Sequence, residues 1–107
     1  MRITKSEIFT ARQNKIATML KALAHPARIA IIQQLSKAEH CICSEFVDEL
    51  GLAQPTISQH LKELKNTGII KRCVEGKSIS YCIDEKVWLK MKKEFESLFT
   101  SNNSFLE

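Results

Sequence analysis

Four residues between two short apolar-patterned segments constrain this chain more than anything else in it. Gly51, Leu52, Ala53 and Gln54 follow a stretch that closes on Val47 and Leu50. They precede Pro55, after which Ile57, Leu61 and Leu64 recur at helical spacing. A glycine stops a helix without strain, and a proline fits the first turn of the next one. The leading segment reads as a helix from Ser44 as N-cap, with Glu45 and Asp48 near the positive end of its dipole, to Leu50 and Gly51. The second helix starts at Pro55 and runs to Asn66, and Gly68 ends it. Two short helices joined by a tight glycine turn, each with apolar anchors, predict a helix-turn-helix.

The flanks complete a plan. Upstream, a helix from about Ser6, a plausible N-cap, to Leu23 sets Phe9, Ile16, Leu20 and Leu23 at helical spacing, and a second opens at Pro26 with Ile29, Ile32 and Leu35. Downstream, residues 69–74 and 77–83 flank Glu75 and Gly76 and read as a β-hairpin. A last helix from about Asp84 to Phe99 aligns Trp88, Met91, Phe95 and Leu98. The order α-α-α-α-β-β-α is mainly α with a β-hairpin wing, the winged helix-turn-helix plan. It predicts one domain over residues 1–99 and a frayed tail over 100–107. The sequence has 107 residues, 44% of them hydrophobic, enough for a single domain with its own core.

The outward face of the second short helix carries the functional reading. With Ile57, Leu61 and Leu64 inward, it presents Gln54, Thr56, Ser58, Gln59, His60, Lys62 and Lys65. Amide, hydroxyl and imidazole groups near a helix N-terminus suit base edges, and lysines further along suit phosphates. An ordinary solvent-facing helix more often shows Glu/Lys pairs at i,i+4, whereas here Glu63 is the one acid. The formal net charge is +4. Between Gln54 and Lys77 lie Lys62, Lys65, Lys71, Arg72 and Lys77 against Glu63 and Glu75, so most of that excess sits on this helix and the hairpin. Lys77, at the hairpin tip, is the expected wing contact to double-stranded DNA, and binding is expected to weaken with salt.

Other classes fit less well. His40 and Cys41 are adjacent, but no Cys-x-x-Cys motif or glycine-rich phosphate loop accompanies them, which argues against an enzyme. The longest fully apolar run, residues 29–32, is far short of a bilayer span. The first fifteen residues are polar and basic rather than a signal peptide. A cytoplasmic protein without a membrane partner is expected, its four cysteines reduced.

Cys41 and Cys43 are two apart. On a helix their thiols would diverge by about 200°, but on an extended segment they share a face. With Ser44 as N-cap the pair lies just ahead of the helix, whose N-terminus favours thiolate. Two small core residues would satisfy the same spacing. Cys73 and Cys82 fall on opposite arms of the hairpin, sharing a face without being directly opposite. His25, just before Pro26, reads as a helix-start residue that caps or packs there.

Four stretches then match a known pattern in order: residues 20–29 (LKALAHPARI), Cys41-Ile-Cys43, residues 52–61 (LAQPTISQHL) and residues 68–71 (GIIK). Together they resemble the ArsR/SmtB family of bacterial metal- and thiol-responsive repressors, over roughly residues 15–99. The resemblance implies a homodimer joined through its first and last helices, an inverted-repeat operator in double-stranded DNA, and derepression when an inducer binds. The apolar excess of the last helix, from Val87 to Phe99, agrees with pairing of two copies.

Cys-Ile-Cys is similar to the family's Cys-Val-Cys inducer motif. The resemblance therefore implies Cys41 and Cys43 as ligands for As(III) or a soft divalent metal ion, with no constitutive cofactor. The chain also departs from the pattern. Phe46 stands where arsenic sensors often have a third cysteine, residues 1–40 hold no cysteine, and Lys86 stands where zinc sensors have a histidine on the last helix. A third ligand is left to His40, Cys73, Cys82 or solvent. Pairing of the segment before the helix-turn-helix with the wing's second strand would bring Cys82 to Cys41 and Cys43 as a three-thiolate site. A redox or persulfide sensor using the same cysteines, or a winged helix without metal response, are the alternatives.

Overall fold

The structure is a computed structural model that describes residues 8–75 and 78–100. Its elements are α1 (Ala11–Leu23), α2 (Pro26–Ala38), β1 (Cys41–Ile42), α3 (Cys43–Leu50), α4 (Gln54–Asn66), β2 (Ile70–Glu75), β3 (Ser78–Ile83) and α5 (Glu85–Thr100). This is the expected winged helix-turn-helix order with one added strand, β1. The expected Ser6 cap, Gly76, Lys77 and residues 101–107 of the expected tail lie outside the described residues.

Local chemistry sets most helix ends. Thr10 caps α1 through a reciprocal pair: its hydroxyl accepts from the Gln13 amide at 3.0 Å, and the Gln13 side chain accepts from the Thr10 amide at 2.9 Å. His25 caps α2, its Nδ1 accepting from the Ala27 amide at 3.0 Å, the helix-start role expected of it. Asp84 heads α5, its carboxylate accepting from the amides of Lys86 and Val87. Gly51 ends α3 in the left-handed region at φ 69°, as a glycine there should.

The start of α3 differs from the sequence expectation. Ile42 occupies the N-cap position and Cys43 is already helical, so Ser44 is not the cap. Ile42 has no side-chain acceptor. Instead the Glu45 carboxylate reaches back to the Ile42 amide at 3.0 Å and satisfies one of the donors exposed at that end.

The sheet is antiparallel in the order β1-β3-β2. Cys41 lies opposite Tyr81 and Ile42 opposite Ser80, while β2 and β3 pair from Ile70–Ile83 out to Glu75–Ser78. One core binds everything together. Phe46 of α3, Ile57 and Leu64 of α4, Ile31 of α2 and Ile69 ahead of β2 are fully buried, and Met91 contributes from α5. Each such side chain removed from water is worth about 1.5–3 kcal/mol. The inward face expected of α4 is therefore as expected, with Ile57, Leu61 and Leu64 all buried.

Ile32 and Leu35 of α2 are buried as expected, while single residues of α1 and α2 depart from their expected faces. Ile31, Ile32 and Leu35 form the buried side of α2, and Ile29 points outward; Met19 and Ala22 form that of α1, with Leu20 outward. On α5, Met91 is buried and Trp88 and Phe95 pack partly against the core, whereas Leu89, Leu98 and Phe99 are exposed.

Candidate nucleic-acid interface and the cysteines

Helix α4 presents a polar outer surface because its buried stripe is narrow, made of Ile57, His60, Leu61 and Leu64. Gln54, Thr56, Ser58, Gln59, Lys62 and Lys65 are all exposed on it. Gln59 donates from Nε2 to the Glu63 carboxylate at 3.1 Å, one turn along, which orders the amide. Lys71 and Arg72 are exposed on β2 and extend the positive surface onto the wing. Lys77 falls outside the described residues.

His60 is a correction. It is 8% exposed rather than outward-facing, since it belongs to the i, i+3, i+4, i+7 stripe with Ile57, Leu61 and Leu64. Its Nδ1 accepts from Arg28 Nε at 3.1 Å, and its ring lies 4.4 Å from that of His25. Burial, then the neighbouring His25 and Arg28 charges, hold its pKa below the ordinary histidine value. Arg28 also donates through Nη1 to the Ala22 carbonyl at 3.1 Å, so one guanidinium joins the end of α1 to α4. Sequence reasoning missed Arg28; its position three residues after His25, one helical turn on, was the available signal.

The cysteines divide differently from the sequence expectation. Cys41 is 1% exposed, and its sulfur accepts from Gln34 Nε2 at 3.7 Å. Burial first, and then Glu45, push that thiol's pKa up. Cys43 sits in the first turn of α3, half-buried, its sulfur 3.9 Å from the Ser58 hydroxyl. Cys82 is not drawn to them. Cys41 faces Tyr81 across the ladder, so it shares a sheet face with Tyr81, and Cys82, one residue on, projects to the other face.

That other face gathers a different set. Cys73 and Cys82 sulfurs lie 3.1 Å apart, and with His40 they form a group whose donor atoms all lie within 4.8 Å of one another. Neither Cys41 nor Cys43 belongs to a group of three such donors among the described residues. A buried thiol engaged by Gln34 and a second thiol turned to Ser58 do not make a ready chelate. The Cys41–Cys43–Cys82 cluster is therefore not assembled in this fold.

Comparison with known proteins identifies the class of fold. The profile described as "Bacterial regulatory protein, arsR family" matches residues 25–72, spanning α2 through the helix-turn-helix into β2. The transcriptional repressor PagR of Bacillus anthracis, in its crystal structure, is 33% identical, with a TM-score of 0.64 over 75% of this chain and 92% of that one. The HTH-type transcriptional repressor SmtB of Mycobacterium tuberculosis is 44% identical over 63 residues, 59% of this chain and 46% of that protein, so the match spans under half of that relative's length. The arsenical resistance operon repressor of Staphylococcus xylosus is 26% identical over 88 residues, 82% of this chain and 84% of that one.

This chain belongs to the ArsR family of bacterial regulatory proteins. The family is one of DNA-binding winged helix-turn-helix regulators rather than enzymes. Among the described residues, no helix is long and apolar enough to cross a membrane.

Proposed function

We propose that the chain is a dimeric, sequence-specific repressor that reads an inverted-repeat operator with α4 and loses its hold on DNA when a thiol-reactive inducer binds. The carrying observation is the outer face of α4, where Gln54, Thr56, Ser58 and Gln59 stand exposed ahead of Lys62 and Lys65. In the major groove the first four would meet base edges, while the lysines would meet phosphates, joined by Lys77 as the sequence suggests. His60 takes an indirect role, fixing α4 against α2 through Arg28.

Dimerisation is supported by α5. Leu89 and Phe99 are 54% and 76% exposed, and a groove of about 260 Å³ lies between Leu23, Trp88, Met91, Phe95 and Phe99. A second copy laid along α1 and α5 would cover that apolar surface and set two α4 helices one DNA turn apart.

The inducer is a thiophile, As(III) or a soft divalent ion, which the arsenical name of one relative supports. At the start of α3, Cys43 is the accessible thiol; an inducer spanning Cys41 as well must draw that buried side chain from the core. A repressor acting on DNA would work in the cytoplasm, which is the localisation we propose. Fluorescence anisotropy on an operator duplex tests the reading. As(III) or Cd(II) should release the wild-type protein, and release should be lost in Cys41→Ser/Cys43→Ser if those thiols are the sensor. Binding that does not distinguish operator from random duplex sinks the sequence-specific reading.

A further inference from the structure

We infer that His40, Cys73 and Cys82 form a binding site for one thiophilic divalent cation, of the Zn(II) and Cd(II) class, on the wing. The three residues come from three places in the chain: the segment ahead of β1, β2 and β3. The sheet register brings them together. Ile42 pairs with Ser80 and Cys73 pairs with Ser80, so Ser80, Cys82 and Cys73 share one face, and alternation puts His40 on it as well. The outcome is three donor atoms mutually within 4.8 Å.

The sulfur separation is close to what an ion requires. Around a tetrahedral ion with metal–sulfur bonds of about 2.3 Å, two thiolates stand roughly 3.8 Å apart. The sulfurs are 3.1 Å apart, so a small opening of one side chain admits the ion. Cys73 pairs with Ser80 and Cys82 pairs with Lys71, which makes the two cysteines diagonal neighbours. Diagonal Cα atoms in an antiparallel ladder lie about 7–8 Å apart. A relaxed disulfide spans about 4.4–6.8 Å.

Donor chemistry selects the ion. Two thiolates and an imidazole favour soft or borderline metals over Mg(II) and Ca(II), and water completes the fourth position. Binding displaces one proton from each thiol, while the imidazole coordinates as the neutral base. Burial first, and then its hydrogen bond with Cys73, push the Cys82 thiol up to about 11. A divalent cation offsets that cost by replacing two protons with one ion of equal charge. His40 is exposed and lines an open cleft with Cys41, Ile42, Glu45, Ser78 and Ser80, so its imidazole is reached from solvent. Metal binding at this site is independent of DNA binding and is read directly.

The test is a Cd(II) titration of the reduced full-length chain, followed by its sulfur-to-metal charge-transfer absorption and by equilibrium dialysis. The expected result is a site that persists in Cys41→Ser/Cys43→Ser and weakens at least ~10-fold in Cys73→Ser and in His40→Ala. Cys82 is buried, so the half-buried Cys73 and exposed His40 carry the test, with circular dichroism confirming the fold of each variant. Unchanged Cd(II) affinity in Cys73→Ser overturns the assignment. So does loss of all binding in Cys41→Ser/Cys43→Ser, or air oxidation to a Cys73–Cys82 disulfide in a protein whose reduced form binds no Cd(II).

Discussion

The imidazole of His60 accepts a hydrogen bond from the Arg28 guanidinium at 3.1 Å, tying the middle of α4 to the start of α2. An imidazole that accepts at Nδ1 from a permanent cation must be neutral, and burial reinforces this. The unfolded chain takes up a proton on this residue near pH 6.5, the folded chain only at lower pH. Between those values the unfolded state binds more protons, so stability falls as pH drops from about 6.5 and this group adds no slope above it. Urea unfolding between about pH 7 and pH 5 should show the decline, and His60→Gln should flatten it. An equally steep decline in the variant would remove His60 as its source.

Base reading and phosphate contact should separate by mutation. Gln59→Ala should cost about 1–3 kcal/mol on the operator and relax discrimination at one base pair. Lys65→Ala should weaken operator and random duplex alike and reduce the salt slope by about one. Anisotropy titrations at several salt concentrations measure both. Equal losses on both duplexes for Gln59→Ala would move base reading to another side chain.

The apolar surface of α5 predicts association. Phe99→Glu, placed on a side chain that is 76% exposed, should leave the circular dichroism spectrum of the protomer unchanged while shifting sedimentation from dimer to monomer. Operator affinity should fall with it, since two half-sites are then no longer held by one particle. A variant that still sediments as a dimer would direct attention away from this end of α5.

The turn between α3 and α4 rests on Gly51. Its φ of 69° is left-handed, and a Cβ there would meet nothing within 4 Å, so the cost of Gly51→Ala is backbone strain alone, about 1–2 kcal/mol. Phe46→Ala empties a fully buried position and should cost about 3–5 kcal/mol. Thermal unfolding of the two variants ranks them directly; a larger loss at Gly51 would contradict the steric reading of that turn.

Local signals made the helix-turn-helix legible. Gly51 and Pro55 act on their immediate neighbours, and three aliphatic residues fix the inner face of α4. His60 was misplaced because its polarity outweighed its spacing, although position 60 falls within the stripe defined by Ile57, Leu61 and Leu64. Ser44 lost the cap because β3 offers a partner to Cys41 and Ile42, and Glu45 supplies the missing acceptor from inside the helix. The cysteine grouping was out of reach for a related reason. It depends on a one-residue choice of register between distant strands, and each one-residue shift exchanges the two faces.

Strand β1 pairs with a segment about forty residues further along the chain. A nascent polypeptide emerging from the ribosome therefore carries both α3 and α4 before it carries the strand against which β1 closes. Loop closure over that span comes before any gain from the contact, so the sheet is expected to complete after the local helices form. A chain stopped after α4 would contain every residue proposed to read a base and still lack the strand that anchors the beginning of α3.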